Sequence, residues 1–181
     1  MNSALFLDRD GVVNYSIVRD NKPYAPLNLN ELKIIPGIKP VINFFKKRQF
    51  KILVITNQPD VVRGKVKKEE IEEINTIVKT QLSIDEIFTC YHDNQDHCDC
   101  RKPKPGAFIA LSQKYNIDLT RSIMVGDRAK DIEAAKNANC PSVFIDYGYN
   151  ELKPLDQNYT IYGICELLTC LEKHFEQTSI R

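Results

Sequence analysis

The sequence predicts a three-layer α/β fold, in which helices cover both faces of a mainly parallel β-sheet. Short apolar segments recur along the chain, and stretches of helical character separate them. The segments are apolar throughout instead of alternating, as is typical of strands buried on both faces of a parallel sheet. The chain has 181 residues with no internal repeat and no Gly/Ser linker, which favours a single domain over residues 1–181.

Predicted strands and helices alternate along the chain. The strands are expected at residues 4–8, 51–56, 86–91, 122–127 and 142–146, and the helices at about 37–48, 67–82, 105–115, 129–138 and 162–177. In the helix at 67–82, apolar residues fall on one face, acids come early and Lys79 comes late. Residues 12–35 form a long, polar, proline-bearing connection, which predicts a flap over a site.

The composition argues against several classes of partner. Hydrophobic residues make up 43% of the chain, charged residues make up 27%, and the formal net charge is +1. No general basic field would therefore hold the protein on nucleic acid or on an anionic membrane. No apolar run reaches membrane-spanning length, and two aspartates interrupt the N-terminal segment before a signal-peptide core could form. We expect a cytoplasmic protein with no nucleic-acid or membrane partner.

Acidic residues follow two of the predicted strands. Asp8 and Asp10 end the first strand in LFLDRDG, and Asp127 ends another in MVGDRAKD. Because ligands bind beyond the carboxyl ends of parallel strands, these carboxylates should face one crevice, where a divalent cation relieves their repulsion. Hard oxygen ligands of this kind suit Mg²⁺. Asp131, in the first turn of the following helix, is expected to support the site without binding the metal directly.

Two further motifs supply groups that can bind a phosphate ester. VITNQ places Thr56, Asn57 and Gln58 at a strand end, where a hydroxyl and amides can bind a phosphate oxygen or the substrate. CRKPKPG carries Arg101 and Lys102 next to prolines that stiffen the backbone. A lysine acts as a point charge on a phosphoryl oxygen, whereas an arginine can grip a second anion through its fork.

Soft metal ligands and positive charge share one short loop. Its pattern C-x-H-x5-C-x-C is made by Cys90, His92, Cys98 and Cys100. Four such ligands suit a closed tetrahedral Zn²⁺ site with a structural role. The loop has almost no apolar residues, so the metal would supply its fold. Because Cys100 directly precedes the two cations of CRKPKPG, fixing this ligand also fixes them.

Together these motifs predict phosphoryl transfer through a covalent intermediate. Asp8 would attack a phosphorus atom while Mg²⁺, Lys102 and Thr56 neutralise charge on the phosphoryl oxygens. Asp10 would protonate the departing oxygen. Once ionised, Asp10 would activate the water that hydrolyses the aspartyl-phosphate.

The motifs DRDG, TNQ, RKPKPG and GDRAKD occur in the order that marks the haloacid dehalogenase superfamily of phosphatases, which the sequence resembles up to about residue 146. With its zinc-loop pattern, the chain is similar to a branch that includes the D-glycero-D-manno-heptose 1,7-bisphosphate phosphatases and the histidinol-phosphate phosphatases. The resemblance implies a Rossmann-like fold without a cap domain and His92, not His97, as zinc ligand. It also implies Asp8 as nucleophile, Asp10 as acid/base, Asp127 as third metal anchor, Lys102 as phosphoryl-stabilising lysine and Arg101 as a substrate-recognising residue.

The resemblance further implies that a monomeric enzyme removes the C7 phosphate of a heptose bisphosphate, for a cell-surface polysaccharide such as lipopolysaccharide. Histidinol-phosphate phosphatase is the alternative, and an acidic pocket for the substrate's amine would favour it. A DNA 3′-phosphatase shares the Asp-x-Asp and TNQ elements, but the net charge of +1 does not favour DNA binding. A non-catalytic zinc-stabilised interaction module should lack one of the four main catalytic and metal residues, and none is missing.

Overall fold

Six parallel strands form the central sheet of the structure, a computed structural model that describes residues 1–178. These strands are β1 (Ala4–Leu7), β4 (Lys51–Asn57), β5 (Glu86–Cys90), β6 (Ile123–Gly126), β7 (Ser142–Ile145) and β8 (Tyr159–Ile161). They lie in the order β5-β4-β1-β6-β7-β8, with every neighbouring pair parallel. Later strands are added on both sides of β1: β4 and β5 on one side, and β6, β7 and β8 on the other. The crevice of the sheet therefore falls at the carboxyl end of β1.

Both faces of the sheet are covered by helices. These are α1 (Ile38–Lys47), α2 (Lys68–Leu82), α3 (Gly106–Tyr115), α4 (Ala129–Asn137) and α5 (Leu167–Thr178). Successive residues of β1 are all buried but face opposite sides: Leu5 and Leu7 join an apolar cluster with α1, α2 and α5, whereas Phe6 packs with α3 and α4. A strand with two buried faces must be apolar throughout, as the sequence shows.

The predicted three-layer fold with a parallel sheet is confirmed, and the predicted elements agree with the structure to within a few residues. Apart from a short hairpin within the flap, two features differ. The edge strand β8 was not predicted, because three residues are too few to show a period. The helix expected at 162–177 begins with a short 3₁₀ turn, Ile164–Glu166, and becomes regular only at Leu167. The domain predicted for residues 1–181 includes residues 179–181, which lie outside the described part of the chain.

The flap expected at residues 12–35 contains an antiparallel hairpin of β2 (Ile17–Arg19) and β3 (Lys22–Tyr24). Its two turn residues, Asp20 and Asn21, have φ of 50° and 56°, as a two-residue hairpin turn requires. The two strands of this hairpin are the only helices or strands between β1 and α1. Within residues 1–178, no separate cap domain therefore covers the sheet. None of the helices described combines the length and apolar character that a bilayer crossing requires.

Candidate active site

An open cavity of about 440 Å³ lies at the carboxyl end of the sheet. Among the residues that line it are Asp8, Asp10, Thr56, Asn57, Gln58, Arg101 and Lys102. The end of β4 and the loops after β1, β4 and β5 carry these side chains, and the β2–β3 hairpin contributes Lys22 and Tyr24 to the wall. The parallel sheet therefore brings together residues that the sequence separates by more than ninety positions.

The ammonium of Lys102 is buried at the floor of this cavity. Its Nζ donates to Asp8 Oδ1 at 2.6 Å and to the carbonyl oxygen of Ile55 at 2.7 Å, and it lies 2.7 Å from Asp131 Oδ1. Burial alone would lower the pKa of Lys102, but the charges and hydrogen bonds of the two carboxylates outweigh it and raise the pKa. Lys102 is therefore a permanent cation in contact with Asp8.

Three buried carboxylates meet beside this lysine. Ligand oxygens of Asp8, Asp127 and Asp131 all lie within 4.8 Å of one another. Burial, followed by the charge of Asp131, raises the pKa of Asp8 to about 6. Burial and the charge of Asp8 also raise the pKa of Asp127 well above its usual value. Lys102 forms ion pairs with Asp8 and Asp131, and Asp127 has no ion-pair cation among the described residues, so the group favours binding of another cation.

The donor set fits Mg²⁺. Neither carboxylate oxygen of Asp127 has a hydrogen-bond partner within the described part of the chain, although both are buried. Buried, unpaired carboxylate oxygens are costly unless something binds them, and hard oxygen donors are those that Mg²⁺ prefers. Asp131 belongs to this group, although the sequence analysis placed it outside the direct ligands. The carboxylate of Asp10, predicted to bind the metal, is not part of the group.

The Asp10 carboxylate is held by neighbours on several sides. Its Oδ1 accepts from Arg9 Nε at 3.1 Å and from Asn14 Nδ2 at 3.0 Å, and its Oδ2 accepts from Gln58 Nε2 at 2.7 Å. Burial would raise the pKa of Asp10, but the charge of Arg9 and these hydrogen bonds outweigh it and hold the pKa below its usual value. Asp8 and Asp10 are two residues apart, yet their pKa values move in opposite directions.

The TNQ motif connects the catalytic groups to one another. The amide of Asn57 forms two hydrogen bonds with the backbone of Lys102, donating to its carbonyl oxygen at 3.1 Å and accepting from its N–H at 3.2 Å. Gln58 Nε2 also donates to Thr56 Oγ1 at 2.8 Å. These contacts give Asn57 and Gln58 roles in holding Lys102 and Asp10. Substrate binding by these two side chains stays a prediction.

Four soft ligands form a compact cluster at the end of β5. The cluster consists of Cys90, His92, Cys98 and Cys100, and it does not include His97. The sulfur atoms are 3.4–3.8 Å apart, and His92 Nδ1 lies 3.5 Å and 3.7 Å from two of them. A tetrahedron with metal–sulfur bonds of about 2.3 Å has sulfur–sulfur edges of roughly 3.8 Å, so these separations match a four-coordinate site.

The same loop aims Arg101 at the cavity. Its guanidinium donates to Asn94 Oδ1 at 2.8 Å and to the carbonyl oxygen of His92 at 3.1 Å. Arg63, from the loop after β4, binds both carboxylate oxygens of Asp93 at 2.6 Å and 2.7 Å. The backbone of a candidate metal ligand thus positions a cavity cation directly, and a second arginine ties the loop to the wall beside the TNQ motif.

The hairpin turn and the loop after β7 contact each other beside the cavity. Asn21, in the hairpin turn, donates to the carbonyl oxygen of Gly148 at 3.0 Å and accepts from the N–H of Asn150 at 2.9 Å. The loop after β7 is tied in turn to the start of α4, because Arg128 Nε donates to Glu151 Oε2 at 2.7 Å. The flap predicted from the sequence therefore rests on a second loop, which the sequence analysis did not identify.

Arg9 and Asn75 lie behind Asp10, and neither was predicted from the sequence as a site residue. Each left a signal. Arg9 stands between two acids at a buried strand end, where an arginine without a partner would be unfavourable. Asn75 interrupts the apolar face of α2 and is 5% exposed, whereas Ile77 of the same helix is only partly buried.

The fold and the site together define a class of protein: a phosphatase that uses an aspartate at a strand end, built on a parallel sheet without a cap domain. Residues 4–139 match the haloacid dehalogenase-like hydrolase family. The match spans most of the chain, and the chain belongs to this family.

Several curated relatives and solved structures are similar to the chain. A D-glycero-beta-D-manno-heptose-1,7-bisphosphate 7-phosphatase of Haemophilus influenzae is 30% identical over 151 residues, covering 76% of this chain and 78% of that enzyme. A D-glycero-alpha-D-manno-heptose-1,7-bisphosphate 7-phosphatase of Campylobacter jejuni is 30% identical, covering 78% and 81%. The crystal structure of D,D-heptose 1,7-bisphosphate phosphatase from B. bronchiseptica, complexed with magnesium and phosphate, superposes with a TM-score of 0.81 at 25% identity, covering 95% of this chain and 99% of that one.

Mg²⁺ should stabilise the protein in a pH-dependent way. The pKa of Asp8 is raised to about 6, so the stability linked to its proton is lost as pH rises through about 6 in the absence of metal. At about pH 7.5 a saturating excess of Mg²⁺ should raise the melting temperature by roughly 5–10 °C, and at about pH 5 by clearly less, because protons then compete for the ligands. Thermal denaturation at matched ionic strength measures both shifts. Asp127→Asn should lose most of the shift at the higher pH, and an unchanged shift would contradict this ligand set.

Gly11 should be required for the metal site because of its contact with Asp127. Its φ is +94°, and a Cβ atom at this position would lie 1.9 Å from Asp127 Oδ2. Gly64 is a matched control, since its φ is +70° but its Cβ would meet nothing within 4 Å. Both Gly→Ala variants should lose about 1–3 kcal/mol of stability through backbone strain. Only Gly11→Ala should also lose the Mg²⁺-dependent rise in melting temperature, and equal Mg²⁺ responses would show that the close approach is unimportant.

Proposed function

We propose that the protein is a Mg²⁺-dependent phosphatase that hydrolyses the C7 phosphate of D-glycero-D-manno-heptose 1,7-bisphosphate through an aspartyl-phosphate. The observation that carries this proposal is the 2.6 Å contact between Asp8 and the buried ammonium of Lys102 on the floor of an open cavity. The names of the relatives from Haemophilus influenzae and Campylobacter jejuni support the substrate and the position of the phosphate.

In the proposed mechanism, Asp8 attacks the phosphorus atom as the bond to the sugar oxygen breaks. Lys102 is already beside the Asp8 oxygen, so its charge is in place for a phosphoryl oxygen without rearrangement. Asp10 gives a proton to the departing sugar oxygen. It then takes a proton from the water that attacks the aspartyl-phosphate, which breaks the bond to Asp8 and releases phosphate.

Asp8, Asp127 and Asp131 would hold the Mg²⁺ ion beside the nucleophile. When bound, Mg²⁺ neutralises charge on the carboxylates and on the phosphoryl group. The roles of the protein residues are separate. Asn57 holds the backbone of Lys102, and Gln58 holds Asp10 through a bond at 2.7 Å.

The remaining cations at the cavity favour a substrate with a second phosphate. Arg101 is held by Asn94 and by the His92 carbonyl oxygen, in a fixed position for an anion. Lys22 of the hairpin also lines the cavity. A sugar that carries phosphate at both ends would place one phosphate at Asp8 and the other among these cations.

The cavity does not favour an amine-bearing substrate such as histidinol phosphate. Asp60 and Glu151 are lining acids outside the catalytic group, and both have cationic partners: Asp60 lies 3.3 Å from Arg63, and Glu151 pairs with Arg128. An ammonium group would have to compete with these arginines. The anomer at C1 is a separate question, because the relatives include enzymes named for the beta and for the alpha anomer.

The Cys/His cluster is proposed to hold one structural Zn²⁺ ion. Its separations of 3.4–3.8 Å between sulfur atoms support four-coordinate geometry with no open position. The ion would fix the loop that carries Arg101 and Lys102. The further proposals are a single domain, a monomeric state, a cytoplasmic location and a place in heptose supply for lipopolysaccharide.

The substrate is tested by comparing catalytic efficiencies for phosphate release with Mg²⁺ present. The panel contains both anomers of heptose 1,7-bisphosphate, histidinol phosphate and fructose 1,6-bisphosphate. We expect a preference of about a hundredfold for one heptose anomer, which corresponds to about 2.7 kcal/mol in the transition state. Similar slow rates on all four compounds would contradict the proposed substrate. Asp8→Asn is the control for the covalent step: it should abolish turnover but leave the melting temperature without Mg²⁺ equal or higher, because it relieves repulsion among the three buried carboxylates while Lys102 keeps its contact with Asp131.

Cys98→Ser should lose the bound zinc. Metal analysis should find about one Zn²⁺ per chain in the unmodified protein and much less in the variant. The exposed Cys165, outside the cluster, gives the matched control Cys165→Ser, which should keep the metal. Catalytic efficiency on the heptose bisphosphate should fall in Cys98→Ser, since the loop that positions Arg101 and Lys102 loses its support. Unchanged zinc content in this variant would show that the ligand set is wrong.

A further inference from the structure

Arg9 lies behind the proposed acid/base and outside the cavity. The side chain of Arg9 is 0% exposed, although its guanidinium is positively charged. Its Nε donates to Asp10 Oδ1 at 3.1 Å and its Nη2 donates to Asp10 Oδ2 at 3.3 Å, so one planar guanidinium binds both oxygens of the carboxylate. A residue that cannot touch the substrate but binds Asp10 in this way can act only through Asp10.

The third nitrogen of Arg9 is held by Asn75 on α2. Nη1 of Arg9 donates to Asn75 Oδ1 at 2.8 Å, and Asn75 Nδ2 donates to Thr89 Oγ1 on β5 at 3.1 Å. Both ends of the Asn75 amide are therefore used. Arg9 also has a partner at each of its three nitrogen atoms, which a buried guanidinium needs if its desolvation is to be offset.

Packing alone does not account for Asn75. It lies on the buried face of α2 between Ile71, Ile74 and Val78, where an apolar residue would avoid the cost of burying an amide. The polar side chain is explained by its two contacts: Thr89 holds its amide nitrogen, and its oxygen holds Arg9, which binds Asp10. The helix thereby connects the apolar core beneath the sheet to the acid/base at the cavity.

We propose that Asn75, held by Thr89, is a positioning residue that fixes Arg9 and through it the Asp10 carboxylate. This inference rests on the proposed function, in which Asp10 protonates the departing oxygen. Proton transfer in the transition state depends on the placement of the acid, and a rigid fork that binds both oxygens fixes the carboxylate in position and rotation. Asn14 and Gln58 each bind one oxygen of Asp10, whereas Arg9 is its single cationic contact among the residues described.

The test measures how strongly the reaction depends on the leaving group. p-Nitrophenyl phosphate and phenyl phosphate have similar shapes, but phenol is the weaker acid and needs its proton more when it departs. Catalytic efficiency reports steps up to release of the leaving group, so it isolates the role of Asp10 as acid from its later role as base. Asn75→Leu removes the acceptor for Arg9 with a side chain that branches at the same atom, and Asn75→Asp keeps an oxygen acceptor at the same place.

Asn75→Leu should lower kcat/KM for phenyl phosphate by about tenfold more than for p-nitrophenyl phosphate, part of the effect expected for a positioned general acid. Asn75→Asp should restore most of the lost ratio. Ser122→Ala is the control for general destabilisation: this buried hydroxyl bonds to the N–H of Ala4 and to the carbonyl oxygen of Asp118, away from the cavity. Ser122→Ala should leave the ratio between the two substrates unchanged.

The failure of this inference can be told apart from failure of the proposed function. If Asn75→Leu folds and slows both phenyl substrates equally, Asn75 is merely structural and the inference is overturned while the phosphatase proposal stands. The same holds if Asn75→Asp fails to restore the ratio at an unchanged melting temperature. If the unmodified protein with Mg²⁺ releases phosphate from no substrate of either panel, the proposed function fails, and this inference fails with it.

Discussion

The site depends on a buried lysine held between two carboxylates. Lys102 Nζ lies 2.6 Å from Asp8 and 2.7 Å from Asp131, and all three side chains are almost fully buried. An unpaired ammonium at this depth would be strongly unfavourable, so Lys102 requires a carboxylate partner. The strand order of the sheet meets this requirement, because β1 and β6 are neighbours and the loop after β5 reaches across β4 to deliver the lysine.

Most of the surrounding structure serves to place that lysine. The amide of Asn57 binds its backbone on both sides, and the adjacent Arg101 is anchored to the His92 carbonyl oxygen. Cys100 comes immediately before these two cations in the chain. The conformation of the polar loop therefore determines where the positive charge of Lys102 lies relative to Asp8. A metal ion in the Cys/His cluster would influence catalysis by holding this loop, although the ion itself would lie outside the cavity.

The layer architecture could be predicted from the sequence because strands buried on both faces must be apolar throughout. The strand-end motifs also lie at the cavity, since the carboxyl ends of parallel strands share one edge. The division of work within the site could not be predicted. Asp131 belongs with Asp8 because Lys102 comes between them, and Arg9 meets Asn75 across 66 positions of sequence. Such contacts depend on side-chain directions in three dimensions, for which residue spacing carries no signal.

The environments of Asp8 and Asp10 assign them different chemistry although they are two residues apart. Asp8 is buried among like charges; burial first, and then the charge of Asp131, raise its pKa, so its carboxylate gains from a bound cation. Asp10 lies against Arg9, and its lowered pKa favours the ionised form that accepts a proton from water. In the proposed mechanism Asp10 must carry a proton in the preceding step, and the negative charge of a phosphate ester in the cavity acts in that direction, because like charges disfavour ionisation. Arg9 and the substrate therefore shift the pKa of Asp10 in opposite directions. Once the leaving group has departed, the charge of Arg9 favours the ionised base, so the guanidinium that positions Asp10 as the acid in the proposed mechanism also supports hydrolysis of the aspartyl-phosphate.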